Sequence, residues 1–451
     1  MNTNTLIVHD KDFYNRVWRI IIPATLQNMI SIGINMMDTI MLGHFGEVQI
    51  SGSSLANQYT QILHFICMGI AGGGALLTAR YWGKKDIDSM KKVITLSLRC
   101  CLGITLLFTF GALFFPAQVM RFYTPDEAVV AAGVRYFKIL AYSFVFEGIV
   151  RVLTQILRSF GVSHIQLEAS IIGFVLNIFF NWVFIFGMFG APRMEIAGAA
   201  LGTLIAHTVE FAYIGDYFLF KDKKVQYRIR DFFMSCKGQV SIYLRRAAPV
   251  IGSDLLAGLG DNFLSVMMGH ISTEFVAANA ITMVLVRLCT AMSNGIYHAA
   301  SNIIGNTLGE GKPEEAYRQG FTLSLGSFLI GVTAGVIIVL IRPMILSLYD
   351  INEITYHTAM QLMLAIAFIL GFRTMGNTLT KGVLRGGGDT QYLMVADVIS
   401  LYVISLPLGY LSAFVWHLNP FWIYVCFRAE FIMKSLICCI RFASRKWIKK
   451  I

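Results

Sequence analysis

The stretch PATLQNMISIGINMMDTIMLGH at Pro23–His44 is apolar enough to lie in a membrane as a helix, yet it contains one acid, Asp38. A related stretch, PVIGSDLLAGLGDNFLSVMMGH at Pro249–His270, follows 226 residues later. This register superimposes identical residues: Pro23 on Pro249, Gly43 on Gly269, His44 on His270 and, further along, Gly83 on Gly309. We interpret the chain as an internal duplication.

The composition indicates a membrane protein. Of 451 residues, 56% are hydrophobic and only 14% are charged, and the mean hydropathy is +0.64. A soluble core cannot bury that much apolar surface. The eight cysteines lie mostly inside apolar runs without metal-ligand spacing, so we expect them to fill space. The polar N-terminal residues MNTNTLIVHDKD precede no short apolar segment with a cleavage site, and no cleaved signal peptide is expected.

Twelve apolar runs are long enough to cross the hydrocarbon as helices, which takes about 20 residues each. They predict an all-α polytopic membrane protein with twelve transmembrane helices in two pseudo-symmetric six-helix lobes. The lobes cover residues 1–220 and 243–451, and a polar cytoplasmic linker covers 221–242. Because six is even, the lobes are parallel repeats, and a central cavity between them is the expected substrate site. The predicted spans are 17–42, 51–79, 94–115, 133–157, 166–189, 196–220, 243–269, 276–305, 320–341, 355–384, 392–416 and 420–440.

The distribution of basic residues predicts the orientation. Lysines and arginines cluster after the second span, through the linker and near the C-terminal end, whereas the alternate loops hold little beyond Arg121, Arg193 and Arg342. The positive-inside rule therefore places both termini and the linker in the cytoplasm. The net charge of +11 reflects this topology and contact with anionic lipids, and we expect no nucleic-acid partner.

Five short motifs carry a family resemblance. They are DTIMLGHFG at Asp38–Gly46, ARYWGKKD at Ala79–Asp86, NxxxN at Asn177–Asn181, GAALGT at Gly198–Thr203 and LRGGGDT at Leu384–Thr390. In this order they resemble the multidrug and toxic compound extrusion (MATE) family over nearly the whole chain. The resemblance implies a secondary antiporter of the cell inner (plasma) membrane that exports amphipathic organic cations by alternating access. It implies a proton or sodium gradient as the energy source and no cofactor, and we expect a monomer.

Asp38 is the candidate coupling-ion carboxylate. An acid at a helix centre costs about 2.5–3.5 kcal/mol on insertion scales, so it needs a partner or a function. The resemblance implies Asn177, Asn181 and Thr203 as partners, and the two asparagines share a helix face. Relatives often have an aspartate at the position of Asn181, so Asp38 is here the sole carboxylate, which fits proton coupling at least as simply as sodium coupling. A fixed structural hydrogen bond, exposure to an outer vestibule and adhesion between helices are the alternatives.

The second lobe has its own acids. Asp254 and Asp261 lie seven residues apart on one face of the seventh span, where they could hold a cation or attract a cationic substrate. Arg373 with Asn377 in the tenth span could equally neutralise one of them in a structural salt bridge. Some relatives have a glutamate at the position of Ala257, so their sodium site is not transferred to this lobe.

The substrate cavity is expected to combine polar side chains with methionines, because methionine adapts to irregular apolar shapes. His64 lies on a polar stripe of the second span, which suits a cavity wall, helix adhesion or a proton relay. Two i, i+4 pairs, Glu147–Arg151 and Glu430–Lys434, are interpreted as structural ion pairs. The predicted lining residues are Gln27, Met37, Met41, Gln61, His64 and Met267.

Other functional classes fit the sequence poorly. The glycine-rich segment Gly69–Arg80 lacks the Gly-Lys-Ser/Thr ending of a nucleotide-binding loop, and no HExxH or DDxxD motif occurs, so we expect no enzyme. Short loops leave little surface for a receptor or scaffold. The main alternative is a lipid-linked oligosaccharide or metabolite flippase of the same superfamily. It predicts several cations in the cavity, for which the candidates are Arg151, Arg287, Arg373 and Arg428.

Overall fold

The computed structural model describes residues 6–43, 45, 47–347, 349 and 351–449, and His44 and Gly46 of the predicted motifs lie outside this set. The described part is almost entirely helical. Its α-helices are α1 (Lys11–Gly43), α2 (Glu47–Gly83), α3 (Ile87–Phe114), α4 (Pro116–Tyr123), α5 (Glu127–Leu140), α6 (Ser143–Ser159), α7 (His164–Phe186), α8 (Ile196–Asp216), α9 (Lys237–Ile271), α10 (Thr273–Gly309), α11 (Pro313–Leu346), α12 (Glu353–Asn377), α13 (Thr390–Val398), α14 (Leu406–Tyr410), α15 (Pro420–Phe427) and α16 (Ala429–Ala443). Wider π-helical turns at Tyr217–Lys221, Thr378–Leu384, Ile399–Ser405 and Leu411–Val415 extend or join these helices.

The predicted all-α fold with twelve spans is confirmed. In the described residues, nine helical segments are long and apolar enough to cross a membrane, and α5 with α6 forms a tenth that is bent by 58°. The fourth predicted span is therefore two helices with a break at Ala141 and Tyr142. The two remaining predicted spans correspond to α9, which contains Asp254 and Asp261, and to α15 with α16, which are interrupted at Arg428.

Polar side chains define where several helices begin. Asp126, Ser272 and Asn352 precede α5, α10 and α12, and each accepts at least one hydrogen bond from a main-chain N–H group of the first turn. These N–H groups have no acceptor within the helix, so the caps satisfy them. Helix α7 ends at Gly187, whose φ of 75° is left-handed, a conformation that glycine adopts without a steric clash.

The helices form two compact units. The C-unit contains the described residues of Met1–Thr25, Ala79–Lys85 and Gly252–Ile451, and the N-unit contains Leu26–Thr78 and Asp86–Ile251. The boundaries inside α1 and α9 each fall two residues after the repeated prolines, Pro23 and Pro249. The duplication therefore extends to the points at which these helices pass from one unit to the other.

Each unit has a closely packed apolar core. In the N-unit, Phe137, Phe144 and Ile156 are fully buried, and in the C-unit the same holds for Ile366 and Phe427. Burial of aromatic and branched side chains against one another fixes the helix positions by close packing, because lipid supplies no strong hydrophobic force between helices.

Candidate functional site

Asp38 lies on α1 in the N-unit, and its carboxylate contacts α7. The side-chain amide of Asn181 donates to Oδ1 of Asp38 over 2.5 Å. The same nitrogen is 3.2 Å from Oδ1 of Asn177, whose own amide donates to the hydroxyl of Thr203 at 3.3 Å. Asn177 and Asn181 are only 1% and 0% exposed, so water does not compete for these hydrogen bonds. The structure thus brings together the four residues predicted for the coupling site.

One acceptor beside Asp38 has no donor. Oδ1 of Asn181 is buried and receives no hydrogen bond from any described residue. Gly202 on α8 leaves room for this oxygen, because a Cβ atom at that position would collide with it. A buried acceptor without a donor, next to a carboxylate, suits a positively charged guest. The oxygen ligands fit a proton on Asp38, and they also fit a sodium ion.

A second polar cluster of the N-unit includes the predicted cavity residue His64. Nε2 of His64 and Nη2 of Arg151 each lie 2.6 Å from Oε1 of Glu147. The predicted Glu147–Arg151 pair is therefore present, and His64 joins it. On α8, Nδ1 of His207 lies 3.2 Å from Oε2 of Glu210. The sequence analysis did not predict this pair. Its i, i+3 spacing, on the same span as Thr203, could have indicated it.

The other predicted cavity residues have different surroundings. In the N-unit, Gln27 accepts a hydrogen bond from Arg158 at 3.1 Å. Met37 is half-buried, Met41 is buried and Gln61 is exposed. In the C-unit, Met267 lines an apolar groove of about 630 Å³ together with Phe263, Tyr402, Leu406, Pro407, Tyr410 and Leu411.

The two acids of α9 have separate partners in the C-unit. The side chain of Asp254 is 5% exposed, and its Oδ1 lies 3.2 Å from Nη2 of Arg385 and 3.9 Å from Nζ of Lys381. The side chain of Asp261 is 65% exposed, and its Oδ1 lies 2.7 Å from Nη1 of Arg428. Each acid is thus neutralised by its own base. Lys381 and Arg385 were not predicted as partners, although their i, i+4 spacing puts them on one helical face.

Arg373 does not make the predicted ion pair with either acid of α9. Its guanidinium lies over the ring of Phe431, 4.6 Å from the ring centroid, in a cation–π contact. Its Nε and Nη1 are buried and have no acceptor among the residues that the structure describes. Asn377, which was predicted to act with it, lies one turn further along α12.

The predicted ion pair between Glu430 and Lys434 is also wrong, because each side chain has a different partner. Oε1 of Glu430 lies 3.7 Å from Nη1 of Arg428. Nζ of Lys434 instead lies 2.6 Å from Oδ1 of Asp397 on α13. Packing of α16 against the segment that follows α13 brings Asp397 within reach, which a rule based on spacing along one helix cannot anticipate.

Comparison with known proteins shows which proteins the chain resembles in sequence and fold. A family model described as MatE matches residues 23–183 and 249–411. The chain is 24% identical to the "Probable multidrug resistance protein NorM" of Thermotoga maritima, over 96% of this chain and 92% of that protein. It is 22% identical to the "Uncharacterized transporter YisQ" of Bacillus subtilis, over 98% of this chain and 96% of that protein. It also superimposes with a TM-score of 0.85 on a structure titled "Outward-facing conformation of a multidrug resistance MATE family transporter of the MOP superfamily", at 18% identity and 96% coverage of both chains.

Proposed function

The chain belongs to the MatE family of multidrug and toxic compound extrusion transporters, and from this premise we propose that it exports amphipathic organic cations in exchange for protons, with sodium as the alternative coupling ion. We place it in the cell inner membrane with both termini in the cytoplasm, on the basis of the positive-inside pattern. The observation that carries the proposal is the 2.5 Å hydrogen bond from Asn181 to the carboxylate of Asp38.

The coupling chemistry follows from what an amide next to an acid can do. An asparagine side chain has both a donor and an acceptor, so Asn181 can serve either protonation state of Asp38. The carboxylate accepts from the amide nitrogen, whereas the protonated acid can donate to the buried Oδ1, which otherwise has no donor. Asn181 therefore stabilises both the ionised and the protonated form of Asp38. Protonation removes the negative charge that would hold a cationic substrate, so proton and substrate occupy the transporter alternately.

The pairing of basic side chains in both units supports a cationic rather than an anionic substrate. A flippase for a pyrophosphate-linked lipid needs basic side chains that are free to bind the phosphates. Of the candidates for that role, Arg151 is paired with Glu147 and Arg428 is paired with Asp261. The charges of these two arginines are compensated locally, and Arg373 lies over the ring of Phe431 rather than beside a carboxylate.

Transport in proteoliposomes tests the proposal. Ethidium efflux would be followed under an imposed proton gradient or an imposed sodium gradient, for the wild type, Asp38→Asn and the control Glu353→Gln, whose side chain is 89% exposed. We expect the proton gradient to drive efflux by the wild type and the control, and Asp38→Asn to fall to the gradient-free background. Efflux driven only by the sodium gradient would show that sodium, and not the proton, is the coupling ion. Full activity of Asp38→Asn would show that Asp38 is not the coupling residue. Wild-type vesicles that retain ethidium under both gradients would contradict cation export.

A further inference from the structure

Helices α7 and α8 pack along one another and line their contact with polar residues at helical spacing. Toward the N-terminal end of α7, Asn181, Asn177 and Gly173 succeed one another at intervals of four residues. On α8, Thr203 is followed by His207 and Glu210, four and seven residues later. Residues at these spacings share a helix face. The hydrogen bonds that begin at Asp38 therefore enter a polar row that continues along α8 toward the linker.

Glycine on α7 makes room for the far end of this row. A Cβ atom at Gly173 would overlap Oε1 of Glu210, so the absence of a side chain lets the carboxylate lie between the two helices. Gly202 does the same for Oδ1 of Asn181 at the near end. Helix contacts in membranes commonly use glycine to bring backbones together. Here both glycines also accommodate a polar side-chain atom, which indicates that the row itself is a feature of the fold.

His207 interacts electrostatically with both polar clusters of the N-unit. It interacts electrostatically with Asp38 of α1, with Glu147 and Arg151 of α6, and with Glu210 of its own helix. His64 of α2 also interacts with it electrostatically, and Tyr136 of α5 interacts with both Asp38 and Glu147. From α7 the row receives only neutral side chains within the described contacts.

The two titratable side chains of the row are partly exposed. The side chains of His207 and Glu210 are 23% and 13% exposed, whereas the asparagines nearer Asp38 are fully buried. Both titratable side chains of the row are therefore more accessible than the asparagines next to Asp38.

We propose that His207 and Glu210 form the path by which the proton leaves Asp38 for the linker side of the membrane, an inference that rests on the proton coupling proposed above. The Asp38 carboxyl gives its proton through water to the neutral imidazole of His207, which leaves a carboxylate and an imidazolium. The imidazolium transfers a proton from Nδ1 to Oε2 of Glu210 over the 3.2 Å contact, and Glu210 then releases it to water. Every step moves one proton, and no electrons are exchanged.

Two ethidium assays on the full-length protein in proteoliposomes separate this path from substrate binding. The first is efflux driven by a proton gradient. The second is counterflow, in which ethidium inside exchanges with labelled ethidium outside and no net proton release is needed. The variants are His207→Gln and Glu210→Gln, with matched controls His164→Gln and Glu168→Gln, whose native side chains are exposed on α7. Gly173→Ala is a third variant that keeps both titratable groups and displaces the carboxylate.

We expect the three variants to lose proton-driven efflux by about 100-fold or more, the lower end of what a positioned acid or base contributes, while counterflow stays within about twofold. The controls should match the wild type in both assays. Equal loss of efflux and counterflow in His207→Gln, Glu210→Gln and Gly173→Ala would show a structural role and overturn the path. Unchanged proton-driven efflux in all three would also overturn it, even if Asp38→Asn is inactive. A wild type that is not driven by protons would instead refute the proposed coupling itself.

Discussion

Gly83 of α2 and Gly309 of α10 meet back to back in the C-unit. A Cβ atom built on either residue would lie 2.8 Å from the Cα atom of the other. These are the two glycines that the 226-residue repeat superimposes. Each also faces main-chain atoms of the opposite helix, at Asn306 and Arg80. The duplicated position is therefore a contact between backbones that has no room for a side chain.

Gly309→Ala should destabilise the C-unit, because its methyl group would clash with main-chain atoms that cannot rotate away. Overpacking of this kind costs about 1–3 kcal/mol. The control is Gly326→Ala on α11, where a Cβ would meet nothing within 4 Å. Because this helical position has room for a methyl group, alanine there is expected to stabilise the fold by about 0.5–1 kcal/mol. The midpoints of thermal unfolding of the wild type and both variants in detergent test this prediction. A midpoint of Gly309→Ala equal to or higher than that of the wild type would refute the close contact.

Asn181→Asp should change the coupling ion. The substitution puts a second carboxylate beside Asp38 in a buried site, and two carboxylates at this distance attract a metal cation far more strongly than one. We expect ethidium efflux by this variant to respond to a sodium gradient to which the wild type responds weakly or not at all. Asn181→Ala is the control, since it removes the amide without adding charge. Its ethidium efflux should respond to neither the proton gradient nor the sodium gradient. A sodium response that is the same in wild type and Asn181→Asp would exclude Asn181 from the ion site.

Arg385→Met should destabilise the protein, because it leaves the buried carboxylate of Asp254 with only Lys381 at 3.9 Å. Removing one partner of a buried pair costs about 3–5 kcal/mol, whereas replacing both partners is often close to neutral. The double variant Asp254→Met/Arg385→Met should therefore regain much of the stability. Arg445→Met, which breaks an exposed pair with Glu314, is the control and should cost about 0–1 kcal/mol. Melting midpoints of the four proteins test the order, and a double variant less stable than Arg385→Met would contradict it.

The spans were predictable because hydropathy dominates membrane insertion, and the partners of Asp38 were predictable because NxxxN puts two amides on one face. The partners of the C-unit acids were not predictable, because they lie on helices far along the chain. Lys434 illustrates the limit: spacing along α16 favours Glu430, but packing against the segment after α13 brings Asp397 to 2.6 Å. His207 and Glu210 are a different case. Their spacing from Thr203 was visible, but their significance depends on Gly173 of α7, which the sequence does not place opposite them.

The polar linker is fastened to α3 by three side chains on one helical face. Nζ of Lys91 lies 2.8 Å from Oδ2 of Asp231, and Thr95 contacts the hydroxyl of Tyr227 at 2.8 Å. Arg99 donates to the carbonyl of Phe232 at 3.0 Å. Although partial burial opposes ionisation of Asp231, the hydrogen bond from Lys91 and the main-chain N–H of Arg228 hold its pKa below the ordinary value. The ion pair is therefore formed throughout the neutral range.

Asp231→Asn should loosen the linker at neutral pH without disturbing the membrane helices. A lowered pKa means that ionised Asp231 adds stability at every pH above the ordinary carboxyl pKa of about 3.9, and that this contribution is lost only as the pH falls through the lower folded value. Backbone hydrogen exchange of residues 226–234 should therefore be constant from about pH 5 to 8 in the wild type, after correction for intrinsic rates. In Asp231→Asn it should be about fivefold faster over that range, as expected for the loss of about 1 kcal/mol. Asp216→Asn, which breaks a more exposed pair with Lys221, is the control and should leave this segment unchanged. Equal acceleration in both variants, or wild-type protection that changes between pH 5 and 8, would show that the Lys91–Asp231 pair does not hold the linker.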